Sequence, residues 1–323
     1  MLLSLLVTTA MAVVILRDLF AIVMLYGIYG LLSASIFVKL DAVDVAFTEA
    51  AVSMGITTVL MLSTLALTTR MEKPSRHGML LPFLVVSITG SVLIYGTLDM
   101  PHFANPNAPI HLHVAPYYIE NTLQDTGIPN MVTAVLASYR GYDTLGELVV
   151  IFTAGIGVLI LLGTLGRGQD QTQYADVSMH HHIVLRVIAK LLIPFILLFA
   201  LYAQFHADYG PGGGFQAGVI FAAAFILFAI IYGMSSTYRV IRPAVLRTLM
   251  SVGVLLFAGT GVVSLLLGGK YLDYNKLGQD PLHGQHLGIF LVELGVGISV
   301  AAVIMSIFFD FNKRNTTLAG RQK

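Results

Sequence analysis

Acidic side chains enter the apolar runs of this sequence at three places, and an ionised side chain at the centre of a membrane helix costs about 2.5–3.5 kcal/mol. The first place is Lys39-Leu-Asp41-Ala-Val-Asp44-Val-Ala-Phe-Thr48-Glu49. On a helix, positions 41, 44 and 48 share a face, with 45 and 49 beside it. Glu49 sits roughly 12 Å along that helix from Asp41 at 1.5 Å per residue, too deep to cap it. A carboxylate poised between desolvation and a nearby cation can bind and release a proton or hold a cation. Asp41 and Asp44 have a plainer reading as helix N-terminal residues, where the dipole favours negative charge.

The second place is Asp143-Thr-Leu-Gly-Glu147, an i, i+4 carboxylate pair preceded by Arg140 and followed by Leu-Val-Val-Ile-Phe. Two close carboxylates do not readily ionise together without a cation between them, and Arg140 is one candidate. Asp143 alone also fits an N-cap. The third place is Glu293, about seven residues into the last apolar run and followed by Gly295 and Gly297, which permit close helix approach. A hydrogen bond to a neighbouring helix and a place on an ion route remain equal readings for it. Between these lies His206-Ala-Asp208-Tyr-Gly-Pro-Gly212-Gly213-Gly214-Phe-Gln216. Its glycines suit a tight packing turn, and their N–H groups could also face an anion or a carboxylate.

The elements that must position these groups are membrane helices. Of the 323 residues 56% are hydrophobic and 11% charged, with mean hydropathy +0.82; soluble domains carry about 25% charged residues. Apolar runs at 2–16, 19–38, 42–68, 79–98, 144–165, 184–205, 215–234, 245–268 and 287–309 predict an all-α polytopic membrane protein with about nine spans, the first of them short. The start of the chain lacks the basic segment of a signal peptide, so residues 2–16 read as a retained span. With the N-terminus outside and the C-terminus cytoplasmic, fourteen of the 18 Lys and Arg fall on the inner side. Lys39, Arg140, Lys270 and Lys276 are the four outside, an asymmetry that favours this orientation. The one long connector, 99–142, is outer. Its proline-rich part, Pro101 to Pro116, predicts irregular chain, and its second part, Tyr117 to Ser138, an amphipathic helix broken near Gly127-Ile-Pro129. Boundaries fall in the polar inner stretches near Pro74 and over Gly166 to His182, dividing the chain into 1–76 (three spans), 77–172 (two) and 173–323 (four). No internal repeat is evident.

Several chemistries are excluded or unsupported. Without cysteine there is no disulfide, thiolate metal site or thiol nucleophile. Trp is absent too, leaving the 14 tyrosines to form any interfacial belt. The net charge of +1 and lack of a basic patch give no basis for nucleic-acid binding. His111, His113 and His180–His182 lack the carboxylate spacing of a defined metal site. No nucleophile–base arrangement, P-loop or dinucleotide fingerprint is present, so neither a catalytic centre nor a cofactor is expected.

Together these motifs resemble the Mrp-type multisubunit Na⁺/H⁺ antiporters, also called Mnh or Pha. Leu40-Asp-Ala-Val-Asp-Val-Ala-Phe-Thr-Glu-Ala-Ala51 is similar to the MbhD-type domain at the C-terminal end of the large A subunit. Tyr118-Ile-Glu-Asn-Thr122 and Tyr139-Arg-Gly-Tyr-Asp-Thr-Leu-Gly-Glu147 resemble the MbhE-type domain that follows it. Gly210-Pro-Gly-Gly-Gly-Phe-Gln-Ala-Gly218 and Glu293-Leu-Gly-Val-Gly297 resemble the MnhB subunit. The three parts cover nearly the whole chain in a fused arrangement that departs from the commonest layout, so the large antiporter-like part of A is expected on a separate chain. The resemblance implies a subunit of a prokaryotic inner-membrane complex that exchanges Na⁺ for H⁺ under the proton motive force, without an enzymatic reaction of its own. Its partners would be the large antiporter-like A and D subunits and the small C, E, F and G subunits. Glu147 and Glu49 would be relays for cation or proton, supported by Asp143, Asp44, Asp41, Lys39 and Glu293. Relatives of these domains also occur in membrane-bound hydrogenases and in complex I, so a redox-driven pump is the main alternative. A scaffold whose carboxylates only anchor partner helices is the other.

Overall fold

The computed structural model describes residues 1–73, 80–162, 179 and 182–321, with side chains through Lys313. The expected part boundaries at 76/77 and 172/173 lie outside the described residues. So do Arg76, Arg167, His180, His181 and Lys323, and the side chains of Arg314 and Arg321. Among the described residues the chain is helical and carries no strand beyond an isolated bridge between Asp18 and Met71. The helices are α1 (Leu2–Ile15), α2 (Leu19–Lys39), α3 (Val43–Leu65), α4 (Leu80–Thr97), α5 (Val114–Thr126) and α6 (Met131–Ala134). They continue as α7 (Gly141–Leu161), α8 (Ile183–Phe205), α9 (Gly214–Tyr232), α10 (Met234–Val240), α11 (Pro243–Leu266) and α12 (Pro281–Arg321).

Eight of these are long and apolar enough to cross a bilayer. The first expected span, α1, has 14 residues, which reach about 21 Å at 1.5 Å per residue against a hydrocarbon core of about 30 Å. It packs against α2. The last is longer than expected: over Pro281–Lys313 the helix runs 33 residues, about 50 Å, and overshoots the bilayer.

The core gathers around α12, which packs against α7, α9 and α11. Leu148 and Leu159 of α7, Val219 and Ala222 of α9, Leu246, Met250 and Phe257 of α11, and Ile289, Val292 and Val300 of α12 are buried together. In hydrocarbon such packing rests on close van der Waals fit and small residues, not on exclusion of water. The α9–α12 contact shows this: a Cβ at Gly214 would fall on the Glu293 carbonyl oxygen, and one at Gly218 within 2.7 Å of the Gly297 carbonyl. By contrast α4 has no buried residue, so its apolar side chains face outward all round.

Helix α3 is interrupted. Residues Ala50–Ile56 form a π-helical segment directly after Glu49, and Gly30 of α2 closes onto Ser53 inside it. Asp41 supplies the turn between α2 and α3 with φ of 58°, a left-handed conformation that Asp tolerates better than most residues. At the opposite ends of these two helices Asp18 caps α2 through Phe20 and Ala21 N–H and pairs with Arg70 at 2.7 Å. That hydrogen-bonded guanidinium holds the Asp18 carboxyl below the usual carboxylate range.

The long connector, 99–142, follows the sequence reading in its second part. α5 ends at Gly127 with φ of 73°, Asn130 caps α6, and a π turn Val135–Tyr139 leads into α7. Its first part is more ordered than expected: Pro109–Leu112 forms one helical turn, and α5 starts at Val114 with Pro116 inside its first turn. Proline is tolerated there because the N–H it lacks would have no helical partner.

Candidate functional site: an acidic cavity where α3, α7, α9 and α12 meet

The start of α3, the start of α7, the glycine turn before α9 and the first third of α12 meet around one cavity of about 260 Å³. Its polar lining is Asp44, Thr48, Thr133, Thr144, Glu147, Gln216 and Glu293, with Gly212 to Gly214 along one wall. The three acidic intrusions of the sequence thus converge in space, each on a different helix.

The glycine turn forms the joint. Gly213 adopts φ of +141°, a region that disfavours a side chain, and lies against the Glu293 carboxylate, with Oε1 3.8 Å from where a Cβ would stand. The N–H of Gly212 donates to Asp44 Oδ1 at 3.2 Å, and Gln216 Nε2 donates to Thr48 Oγ1 at 2.8 Å. Both readings of the turn therefore hold: it packs tightly, and one of its N–H groups meets a carboxylate. Asp44 does not cap its own helix; the N-cap position is Ala42, without a side-chain hydrogen bond.

The turn is held by the long connector. Asn130 Nδ2 donates to the carbonyls of Ala207 and Gly210, both at 2.9 Å, its backbone N–H donates to Asp208 O at 2.9 Å, and Thr133 Oγ1 donates to Ala207 O at 2.7 Å. Tyr274, fully buried, donates to Ala137 O at 3.0 Å, and Ser138 donates to Gln285 Oε1 at 2.7 Å. Burial keeps the Tyr274 phenol above its usual range, so it stays a donor. Tyr139 at 2.7 Å and Tyr117 at 3.1 Å both donate to Asp125 Oδ2, tying α5 to the π turn. The Tyr117 phenol is raised mainly by that bond, and the Tyr139 phenol first by burial and then by that bond.

The expected site residues divide. Asp44, Glu147, Glu293 and Gly212–Gly214 share the cavity, with Glu147 at its exposed mouth and Asp44 and Glu293 partly buried. Arg140 does not sit between Asp143 and Glu147; it pairs with Asp143 on the exposed surface through Nε at 2.6 Å and through Nη2. Lys39 and Asp41 are exposed at the α2–α3 turn. Glu49 lies partly buried one residue before the π segment and does not line the cavity. Asn130, Thr133 and His286 were not among the expected residues. An Asn after a proline that opens a helix, and a histidine seven residues before Glu293, were the available signals. Among the described residues no three His, Asp or Glu side chains are close enough to hold a metal ion. The carboxylates are spaced around a void with hydroxyls and an amide between them, an arrangement suited to a proton or a hydrated ion moving between groups.

Spanning helices in this number, with an acidic cavity among them, define a polytopic all-α membrane protein. Residues 184–306 match the model of a domain related to the MnhB subunit of Na⁺/H⁺ antiporters, and the chain belongs to that family. Residues 4–70 match the D subunit of MBH and residues 88–176 match its E subunit. A putative antiporter subunit mnhB2 of Staphylococcus aureus (strain Newman) is 33% identical over 133 residues, which cover 40% of this chain and 94% of that one. A probable A/B subunit of a K(+)/H(+) antiporter from Rhizobium meliloti (strain 1021) is 26% identical over 313 residues, covering 87% of this chain and 31% of its own length. This chain thus spans under a third of that fused relative. In the solved Mrp complex from Dietzia sp. DQ12-45-1b one chain superposes with a TM-score of 0.75 at 27% identity, over 96% of this chain and 34% of that chain. A chain of an archaeal membrane-bound sulfane sulfur reductase superposes with a TM-score of 0.54 at 29% identity, over 72% of this chain and 96% of that one. The protein is accordingly a multi-pass subunit of a prokaryotic cell membrane.

Proposed function

We propose that this chain is a subunit of a multisubunit antiporter that exchanges internal Na⁺ for external H⁺, driven by the proton motive force. The observation that carries the reading is the meeting of Asp44, Glu147 and Glu293 from three helices in one cavity, in a chain of the MnhB-related family. Glu147 at the mouth and Glu293 beneath it would exchange proton and cation. Asp44 would share that charge while holding the glycine turn. Glu49, outside the cavity, would be a deeper relay on α3, and Asp143, with Lys39 and Asp41, a surface charge near the entrance. The partners would be the large antiporter-like A and D subunits and the small C, E, F and G subunits, and the exchange would need no cofactor besides the transported ions. The membrane would hold the cavity on the outer side.

The test is Na⁺-dependent collapse of ΔpH in inverted vesicles carrying the whole complex, with Glu147→Gln compared with wild type and assembly followed on native gels. Lost exchange in an intact complex puts Glu147 on the route; full exchange removes it. Likeness to the sulfane sulfur reductase chain favours a second reading, a membrane arm of a redox-driven pump. That reading predicts ion movement only when an electron donor is supplied, whereas the antiporter works from an imposed gradient alone.

A further inference from the structure

His286 stands seven residues before Glu293 on α12, so the two project from nearly the same face, about 10.5 Å apart along the axis. Its Nδ1 lies 3.5 Å from Asp208 Oδ2, and the two side chains remain 38% and 27% exposed. Asp208 belongs to the segment that Asn130 grips and that runs on through Gly212 to Asp44 and through Gly213 to Glu293. Asp208 thus pairs the imidazole with the segment that runs on to Gly213 beside Glu293, and imidazole is the side chain that ordinarily gains and loses a proton within the physiological range.

Other titratable groups at this end are engaged elsewhere or stand apart. Asp125 of α5 holds two tyrosine hydroxyls, Glu120 is exposed on the same helix, and the Tyr139 and Tyr274 phenols donate to protein oxygens. His206 stacks on Tyr202 at the end of α8, and Asp280 and His283 are exposed at the start of α12. Asp273 and Lys276 lie with Tyr274 in the α11–α12 connector. Asp208 is the group paired with His286.

We propose that His286, paired with Asp208, collects protons at the outer surface and feeds them to Glu293. This rests on the antiport reading above. Neutral imidazole takes a proton from the outer solution to become imidazolium. The proton passes by way of Asp208 and along the glycine turn to the Glu293 carboxylate, which becomes the acid, and His286 returns to its neutral form. Protons are only relayed; none is consumed.

The experiment uses the whole complex in right-side-out vesicles loaded with Na⁺, with lumenal acidification followed as bath pH is set to about 6 or about 8, either side of the imidazole range. His286→Gln is expected to exchange several-fold more slowly than wild type at the higher pH and at nearly the wild-type rate at the lower. Imidazole added to the bath should restore the slow rate. A loss that is equal at both pH values and not restored by imidazole, or no loss at all, overturns the proposal and leaves His286 a packing residue. If His286→Gln does not assemble, Asp208→Asn carries the same test with the same two outcomes. A flat trace from the wild type itself defeats the antiport reading and this proposal with it, and is distinguishable because no variant is involved.

Discussion

At the residue scale, Asp44 combines a charge with a hydrogen bond, and two substitutions separate them. Asp44→Asn keeps an oxygen to accept from Gly212 N–H, so the complex should stay assembled while exchange falls. Asp44→Ala leaves that N–H unpaired; a hydrogen bond to a charged group contributes about 1.5–3 kcal/mol, and its loss should show as a lower melting temperature of the purified complex. Tyr139 gives a pH dependence of known sign. Its phenol is raised in the folded protein, so the stability it contributes is fully present below the ordinary tyrosine value of about 10 and declines as pH rises above it. Tyr139→Phe should flatten the alkaline limb of a stability–pH curve and leave neutral stability slightly reduced. Glu147, Asp44 and Glu293 stood out in the sequence as ionisable groups entering apolar runs, though Asp44 read equally as a helix-end residue and Glu293 as a helix-packing one. Asn130, Thr133 and His286 were not, because each acts through a partner more than seventy residues away and a polar residue in a connector carries no mark of such a partner.

At the element scale, the tightest constraint is the crossing of α9 on α12. Gly214→Ala would drive a methyl group into the Glu293 backbone, and overpacking of this kind costs about 1–3 kcal/mol or more. The expected result is loss of this chain from the assembled complex on native gels, with Gly146→Ala, whose Cβ would meet open space on α7, as the unaffected control. The spans themselves were legible because twenty apolar residues in sequence have one stable arrangement in a bilayer. The π segment of α3 was not, since the same residues satisfy an α or a π ladder; in the fold it lies where Gly30 of α2 closes onto Ser53. The early start of α12 was hidden for a related reason. Its first six residues, Pro281-Leu-His-Gly-Gln-His286, are mostly polar and border the long connector, so hydropathy places the helix several residues late.

At the scale of the whole molecule, the basic residues near the start of α2, the end of α3, the start of α8 and α10 lie at the end opposite the acidic cavity. The absence of cysteine makes orientation directly measurable. A single cysteine replacing exposed Asn107 should react with a membrane-impermeant maleimide from outside intact cells, and one replacing exposed Thr69 only after permeabilisation. The reverse pattern would turn the protein over. The bonds that Asn130, Thr133, Ser138 and Tyr274 make between the long connector and the C-terminal part, with those of Asp44 to the glycine turn and Thr48 to Gln216 of α9, have a consequence for how such a protein is inherited. The two halves recognise each other by contacts that do not need the peptide link between α7 and α8. A gene cut at that point should still yield two polypeptides that find one another in the membrane and copurify. Fusion and fission of the coding sequence would then be nearly neutral events, free to vary between lineages while the cavity they enclose stays the same.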